Sequence, residues 1–249
     1  MIIYRYTIIK MLGKISLSNK DKLKGLKIPK KITSSLVYLI GVFAGDGSLG
    51  YRPNKYEYSL KCVGNPKDEQ EFYYDIIKPK FKEVFGFSLK IKHFDKGTTF
   101  GFRIFSKSLV LYLTKIIGLP LGPKYKSLKI PPKILSNKKR SKYFIKGLFD
   151  TDGSISFKKR YKDYPYYPVI SLSSKSDSFT RKIACWLKER NFKIVEKYNY
   201  KVLDKRVKLG YTLISKIEMN GKNNLVLWLN TVGFSSPKHL KKIKEYWKE

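Results

Sequence analysis

The chain has 249 residues, 42% of them hydrophobic and 15% aromatic, which suits one large domain or two smaller ones with real cores and argues against disorder. With 53 Lys+Arg against 19 Asp+Glu, the net charge is +34, which repels itself unless a polyanion or an anionic surface is near. The lone cysteines, Cys62 and Cys185, read as packing residues, and with only two histidines besides they exclude a disulfide framework, a Cys-based zinc site and a histidine-centred nuclease, so any hydrolysis would fall to carboxylates and lysines.

The N-terminal stretch MIIYRYTIIK lacks the order of a signal peptide, and the longest apolar run, near Leu36–Ala44, is too short to span a bilayer. A soluble, intracellular protein facing nucleic acid is expected, with residues 1–25 as a leader. Next, LVYLIGVFAGDG (36–47) reads as a helix that delivers Asp46 just ahead of a glycine. SLGYRPNKYEYSLKCVGN follows as two alternating runs around Pro53-Asn54, and PKDEQEFYYDIIKPKFKEVFG as a helix entered by Pro66. FSLKIKHF and FGFRIFS read as two more strands, and KSLVLYLTKIIG as a closing helix. The stretch 118–142, rich in Pro, Gly and Lys, reads as a linker.

Then the plan repeats. FIKGLFDTDGSIS (144–156) restates the layout around Asp152, and two strand-like runs, the helix KSDSFTRKIACWLKERN, two further strands and the helix NNLVLWLNTVG follow. The expected fold is α+β: two tandem, pseudo-symmetric αββαββα repeats, 1–117 and 143–249, joined by 118–142. In the strands, Leu89 and Ile91 oppose Ser88, Lys90 and Lys92, Phe102 and Ile104 oppose Arg103, and Ile155 and Phe157 oppose Ser154, Ser156 and Lys158. One face therefore packs on helices. The other is basic and reads as a DNA-contacting surface, for which Ser48, Arg52, Ser59, Lys61, Lys90, Lys92, Arg103, Ser154, Ser156, Lys158, Arg160, Ser171, Lys193 and Lys216 are the candidates.

Gly41 and Gly45 lie on one helix face, with Gly147 and Thr151 matching them in the second copy. Small residues on one face let two helices approach backbone to backbone, so packing of the two copies would bring Asp46 and Asp152 side by side. That pairing is unfavourable alone, since each carboxylate sits at the negative end of a helix dipole and the two repel. Divalent cations would reverse both penalties, and oxygen ligands suit Mg²⁺.

At these residues the chain resembles the LAGLIDADG homing endonucleases: LIGVFAGDG (39–47) and IKGLFDTDG (145–153) match the two motif copies of the single-chain, double-motif form. The resemblance runs from about Leu26 to the C-terminus, and GLPLGPKYKSLKIPPKIL and VGFSSPKHLKKIKEYW look like the segments that follow each repeat. It implies a saddle of two antiparallel sheets on DNA with the motif helices packed at the interface, and a Mg²⁺-dependent, sequence-specific double-strand cut with 3′ overhangs. Mn²⁺ would substitute, and Ca²⁺ would support binding without cleavage. Asp46 and Asp152 would be the metal ligands, with main-chain carbonyls of Gly45 and Thr151. Lys107, Lys222, Lys175 and Asn65 would be the further catalytic groups. Ala44 departs from the motif, where the family often has an acid, away from the catalytic position.

Two halves end to end cover about 50–60 Å, or roughly 16–20 base pairs of a non-palindromic site. The chain reads as a free-standing, intron-encoded monomer of an archaeal cytoplasm or organelle matrix. An RNA-binding maturase acting on its host intron, a DNA-binding protein without catalysis and a membrane-surface protein are the rival readings.

Overall fold

The computed structural model describes residues 15–125, 127–158 and 166–247. A short helix α1 (Asn19–Leu23) precedes the first motif helix, α2 (Ser34–Gly45). Thr33 caps α2, its hydroxyl accepting the Leu36 N–H at 3.2 Å, and nearly every residue of α2 is buried, as expected of a helix apolar on all sides. Strands β1 (Gly47–Arg52) and β2 (Glu57–Gly64), helix α3 (Phe72–Ile77 continuing through Lys78–Phe85), β3 (Lys92–Phe94), β4 (Thr99–Phe105) and α4 (Lys107–Leu111 continuing through Tyr112–Ile117) complete the first half. After the short α5 (Pro132–Leu135), the second half runs α6 (Lys138–Thr151), β5 (Gly153–Lys158), β6 (Tyr167–Ser174), α7 (Asp177–Lys188), β7 (Ile194–Leu203), β8 (Tyr211–Asn220), α8 (Lys222–Thr231) and α9 (Pro237–Tyr246).

The two sheets have the same topology, β1-β2-β4-β3 and β5-β6-β8-β7, with antiparallel neighbours throughout. Each buries its apolar face on its own helices. Phe102 meets Phe43 edge-on at 6.4 Å and Phe81 at 5.7 Å, while Trp228 packs on Phe149 at 4.6 Å and Phe192 at 6.0 Å. This is the expected α+β duplication, and the motif helices α2 and α6 pack directly on each other.

Four details depart from the sequence reading. Residues 15–25 are no mere leader: Ser108 Oγ donates to Ser16 O at 2.7 Å and to Asp21 Oδ2 at 3.1 Å, and Ile15 and Leu17 pack on the core. The supposed linker 118–142 buries Leu119, Leu128, Ile130 and Ile134, and its last residues already belong to α6, which Asn137 caps. Of FSLKIKHF only Lys92–Phe94 pairs with β4. The alternation survives there without the ladder, since extended backbone alone sets side-chain direction and leaves Leu89 buried and Lys90 exposed. Cys62 is buried as expected of a packing residue, but Cys185 is exposed.

The seam between the halves explains its glycines. A Cβ on Gly41 would run into the carbonyl oxygen of Phe144 and lie 3.0 Å from Leu148 N, and a Cβ on Gly147 would run into Tyr38 O and lie 3.0 Å from Val42 N. Backbone touches backbone, reciprocally. Gly147→Ala should therefore force the helices apart and cost about 3 kcal/mol or more, read by thermal unfolding; a melting point within a degree of wild type would contradict this packing.

Candidate functional site

Both motif helices end in the same way. Asp46 caps α2 at φ −80°, ψ −12°, its N–H donating to Val42 O at 3.0 Å; Asp152 caps α6 at φ −82°, ψ −14°, its N–H donating to Leu148 O at 2.9 Å. Gly47 and Gly153 then open β1 and β5 with no left-handed backbone; a Cβ on either would sit 2.5 Å from the carbonyl oxygen of Phe43 or Phe149. Glycine is needed there for space, so that the chain leaves the helix sharply. Where α2 and α6 meet, the would-be Cβ of Gly45 runs into Thr151 Oγ1 and lies 3.3 Å from the carboxyl carbon of Asp152. The geometry thus brings together the four residues Gly45, Asp46, Thr151 and Asp152.

The electrostatics of the pair follow from crowding. Asp46 Oδ2 is buried and has no hydrogen-bond partner among the described residues. Burial first, then the charges of Asp152 and Glu69, push the Asp46 carboxyl up to about 8, against partial relief from Lys238 and Lys124. Asp152 is likewise raised by burial, with Glu69 adding to the effect and the ammonium groups of Lys124 and Lys238 opposing it. A neighbouring acid has another purpose: Asp150, fully buried, accepts the Tyr38 O–H at 2.6 Å across the seam and the N–H groups of Ser235 at 2.9 Å and Ser236 at 3.0 Å. Burial pushes it up to about 6, with those donors holding it down. Asp150 fixes the segment that leads into α9, and with it the start of the helix that carries Lys238.

Two lysines that sequence reasoning passed over reach the acids. Lys124 Nζ donates to the carbonyl oxygens of Ala44, at 2.9 Å, and Gly45. Burial lowers the affinity of this ammonium for its proton, while Asp152, Cys62 and Asp46 raise it. An organic cation thus already sits where carbonyls and carboxylates converge. Lys238 Nζ pairs with Glu69, itself buried, and both groups act on Asp46. The signal for both lysines was present in the duplication: GLPLGPK closes the first repeat and GFSSPK the second, each placing Pro-Lys shortly after the last helix.

The lysines expected at the site lie elsewhere. Lys107 is exposed over the Tyr58 ring at 5.9 Å, four residues along β2 from Cys62, the partner of Gly47, and so about 13 Å from the acid end of the sheet. Lys222 stands over Trp247 at 5.6 Å; its neighbour Gly221 bonds to Pro168, four residues along β6 from the partner of Gly153. Both begin closing helices, which start at the far end of the antiparallel ladder. Lys175 is at the acid end of β6 but is exposed and acts on Asp204, and Asn65 spends its side chain on Asp68 at 3.3 Å and the Lys67 N–H at 2.9 Å.

The outer sheet faces carry the expected polar row. Ser48, Lys61 and Arg103 lie side by side across β1, β2 and β4, with Ser59 and Arg52 on the same face. Lys61, Lys92 and Arg103 surround the Phe94 ring at 5.4, 5.2 and 5.7 Å, and Lys90 is exposed just before β3. In the second sheet Ser154 Oγ and Ser171 Oγ are 2.9 Å apart, Ser156 shares their face, Lys216 is paired with Glu218 at 2.8 Å, and Lys193 is exposed before β7. This face is less purely basic than the sequence implied, since Glu218 falls in its middle. Lys158 ends β5, and Arg160 lies outside the described residues.

The LAGLIDADG-like domain family matches residues 140–233. Among solved structures, I-DmoI in complex with DNA and Ca has a TM-score of 0.56 at 17% identity, covering 85% of this chain and 97% of that one. I-WcaI bound to its DNA recognition sequence gives 0.55 at 15%, covering 94% and 97%, and the I-LtrWI LAGLIDADG homing endonuclease bound to target DNA gives 0.53 at 14%, covering 86% and 89%. No curated protein matches. Residues 140–233 are thus similar to the LAGLIDADG-like domain family, and the chain shares the fold of these solved structures. No helix among the described residues is long and apolar enough to cross a membrane.

Because Asp46 keeps its proton to about pH 8 in the fold but only to about 3.8 unfolded, the stability it contributes is complete below pH 3.8 and lost as pH rises through 8. Asp46→Asn should therefore gain stability over wild type as pH rises from about 5 to about 8 without divalent cations, reaching about 1–3 kcal/mol. Urea unfolding across that range reads the difference; a gap that stays constant with pH would contradict the assignment.

Proposed function

We propose that this protein is a sequence-specific DNA endonuclease that cuts both strands of a long, non-palindromic site by hydrolysis of phosphodiesters. The observation that carries this reading is the pairing of two helix-terminal carboxylates at the seam between two sheets with basic outer faces. The relatives in fold support it, since I-DmoI is described in complex with DNA together with Ca or Mn. Asp46 and Asp152, with the carbonyls of Gly45 and Thr151, would hold divalent cations. The donor set fits: oxygen ligands only, a buried Asp46 oxygen without a donor, and carbonyls that already accept an ammonium group. Bound Mg²⁺ would supply charge neutralisation at the scissile phosphate and activation of water.

The chain's own residues do the rest. Lys124 and Lys238 bring positive charge to the phosphate, where it stabilises the charge that builds up during displacement. The rows Ser48–Lys61–Arg103 and Ser154–Ser171 fix the duplex in register, and the lysine-rich rims bind its backbone. Antiparallel ribbons of this width enter a major groove. Because the two faces differ in sequence and in charge, the half-sites they read differ as well. Lys107 and Lys222 then serve DNA backbone contact rather than chemistry.

Asp46→Asn and Asp152→Asn should each abolish cleavage of a target selected from a randomised duplex library, while Ca²⁺-supported binding persists within about threefold. Lys124→Met should slow cleavage by about 10²-fold. Full activity in the double aspartate variant would refute the assignment. Binding should also fall steeply with salt, as expected of several phosphate contacts; a flat gel-shift titration would contradict the role given to the basic faces.

A further inference from the structure

A third carboxylate, Glu69, stands beside the acid pair. Gly64, the last residue of β2, has no side chain, and the Glu69 carboxylate fills the volume one would take: a Cβ on Gly64 would run into Glu69 Oε2. The backbone N–H of Asn65 donates to that same oxygen at 2.7 Å. The other oxygen, Oε1, accepts from Lys238 Nζ, which arrives from α9 in the second half. The pair is protected, with only 6% of the Glu69 side chain and 24% of the Lys238 side chain exposed. It sits where its charges act on Asp46 and Asp152.

Among the described residues the second half has no such arrangement. Phe72 and Phe179 are equivalent buried residues at the starts of α3 and α7; Tyr73 N bonds back to Glu69 O, and Thr180 N to Ser176 O, both at 3.1 Å. Ser176 is therefore the counterpart of Glu69, and its hydroxyl donates to Leu128 O at 3.5 Å. Lys124, which occupies the place of Lys238 in the first repeat, rests on main-chain carbonyls and among the described residues has no carboxylate partner of this kind. The duplication placed a lysine after each repeat, and only one of them is held by an acid from the opposite half.

We propose that Glu69 is a positioning residue that holds the Lys238 ammonium group at the acid pair, so that one of the two strand cuts depends on this ion pair and the other does not. The inference rests on the nuclease reading above and assigns a difference between its two reactions. An aimed lysine loses little freedom when phosphate arrives, whereas a lysine released by loss of Glu69 must be ordered during the reaction. A second pair between the halves, Lys241 Nζ with Glu71 at 2.9 Å, is exposed on both sides and holds α9 without approaching the acids. It supplies the control.

Glu69→Gln keeps an oxygen for the Asn65 N–H and removes the charge that holds Lys238; Glu71→Gln removes a pair of the same kind on the same helix. In the protein free of metal and DNA, brief acetylation mapped by mass spectrometry should modify Lys238 about fivefold or more faster in Glu69→Gln than in wild type or Glu71→Gln, with Lys124 unchanged. On a duplex labelled on each strand, Glu69→Gln should slow one cut by about 10–100-fold, leave the other within about threefold and accumulate nicked product, with Ca²⁺-supported DNA affinity unchanged. Lys238→Gln should slow the same strand, and the double variant should be no slower than Lys238→Gln alone. Equal reactivity of Lys238 in wild type and Glu69→Gln, or equal slowing of both strands, would overturn the proposal. If wild type cuts neither strand, the nuclease reading fails, and the acetylation result still decides whether Glu69 holds Lys238.

Discussion

Everything else in the molecule depends on how closely α2 and α6 approach. Helices that touch through carbonyl oxygens and amide nitrogens leave no room for a methyl group, and that is why Gly41 and Gly147 stand at the crossing. Glycine in a helix costs about 1 kcal/mol relative to alanine, and the cost is offset here by burial of an almost wholly apolar helix between two cores. Because the helices cross through their C-terminal halves, at Gly41 and Gly147, and stay together to Gly45 and Thr151, their C-termini deliver Asp46 and Asp152 to the same place. A wider crossing would separate the acids and leave two ordinary helix caps.

The cluster so made is electrostatically strained, and the strain is informative. Burial does most of the work in raising the affinity of both helix-end carboxylates for protons, the charge of Glu69 adds to it at each, and that of Asp152 adds to it at Asp46. The protein balances this with cations from distant parts of the chain, Lys124 after the first repeat and Lys238 after the second. An acid cluster kept in place at this cost to stability is typical of a site built for charge that arrives from outside. The large positive excess elsewhere on the surface repels itself in the free protein and is relieved by a polyanion.

Duplication supplied the symmetry, and single residues broke it. At matching positions the first half has Ala44, Glu69 and a lysine on main-chain carbonyls; the second has Asp150, Ser176 and a lysine on a carboxylate. Asp150 is bound to Tyr38 and to two backbone N–H groups, so it braces the entry to α9, a task that Ala44 cannot perform for the first half. The outer sheet faces diverge too, with a cation-ringed Phe94 on one and the Ser154–Ser171 hydroxyl pair and Glu218 on the other. An asymmetric pair of faces is what a non-palindromic duplex would require.

The sequence by itself determined the repeat, the order of its elements and the two acids that end the motif helices, because these are local or periodic properties: a helix with small residues four apart, strands with alternating faces, and two copies of one motif. It even carried the trace of Lys124 and Lys238 in the recurring Pro-Lys. It did not decide which lysines meet the acids. Lys107 and Lys222 looked suitable by position along the chain, yet an antiparallel ladder carries them to the far end of each sheet. Glu69 and Asp150 carry no local mark in the sequence that sets them apart. Only the tertiary structure gave them their partners, since a long side chain's reach across a seam depends on where two halves dock, and no spacing within either half encodes that distance.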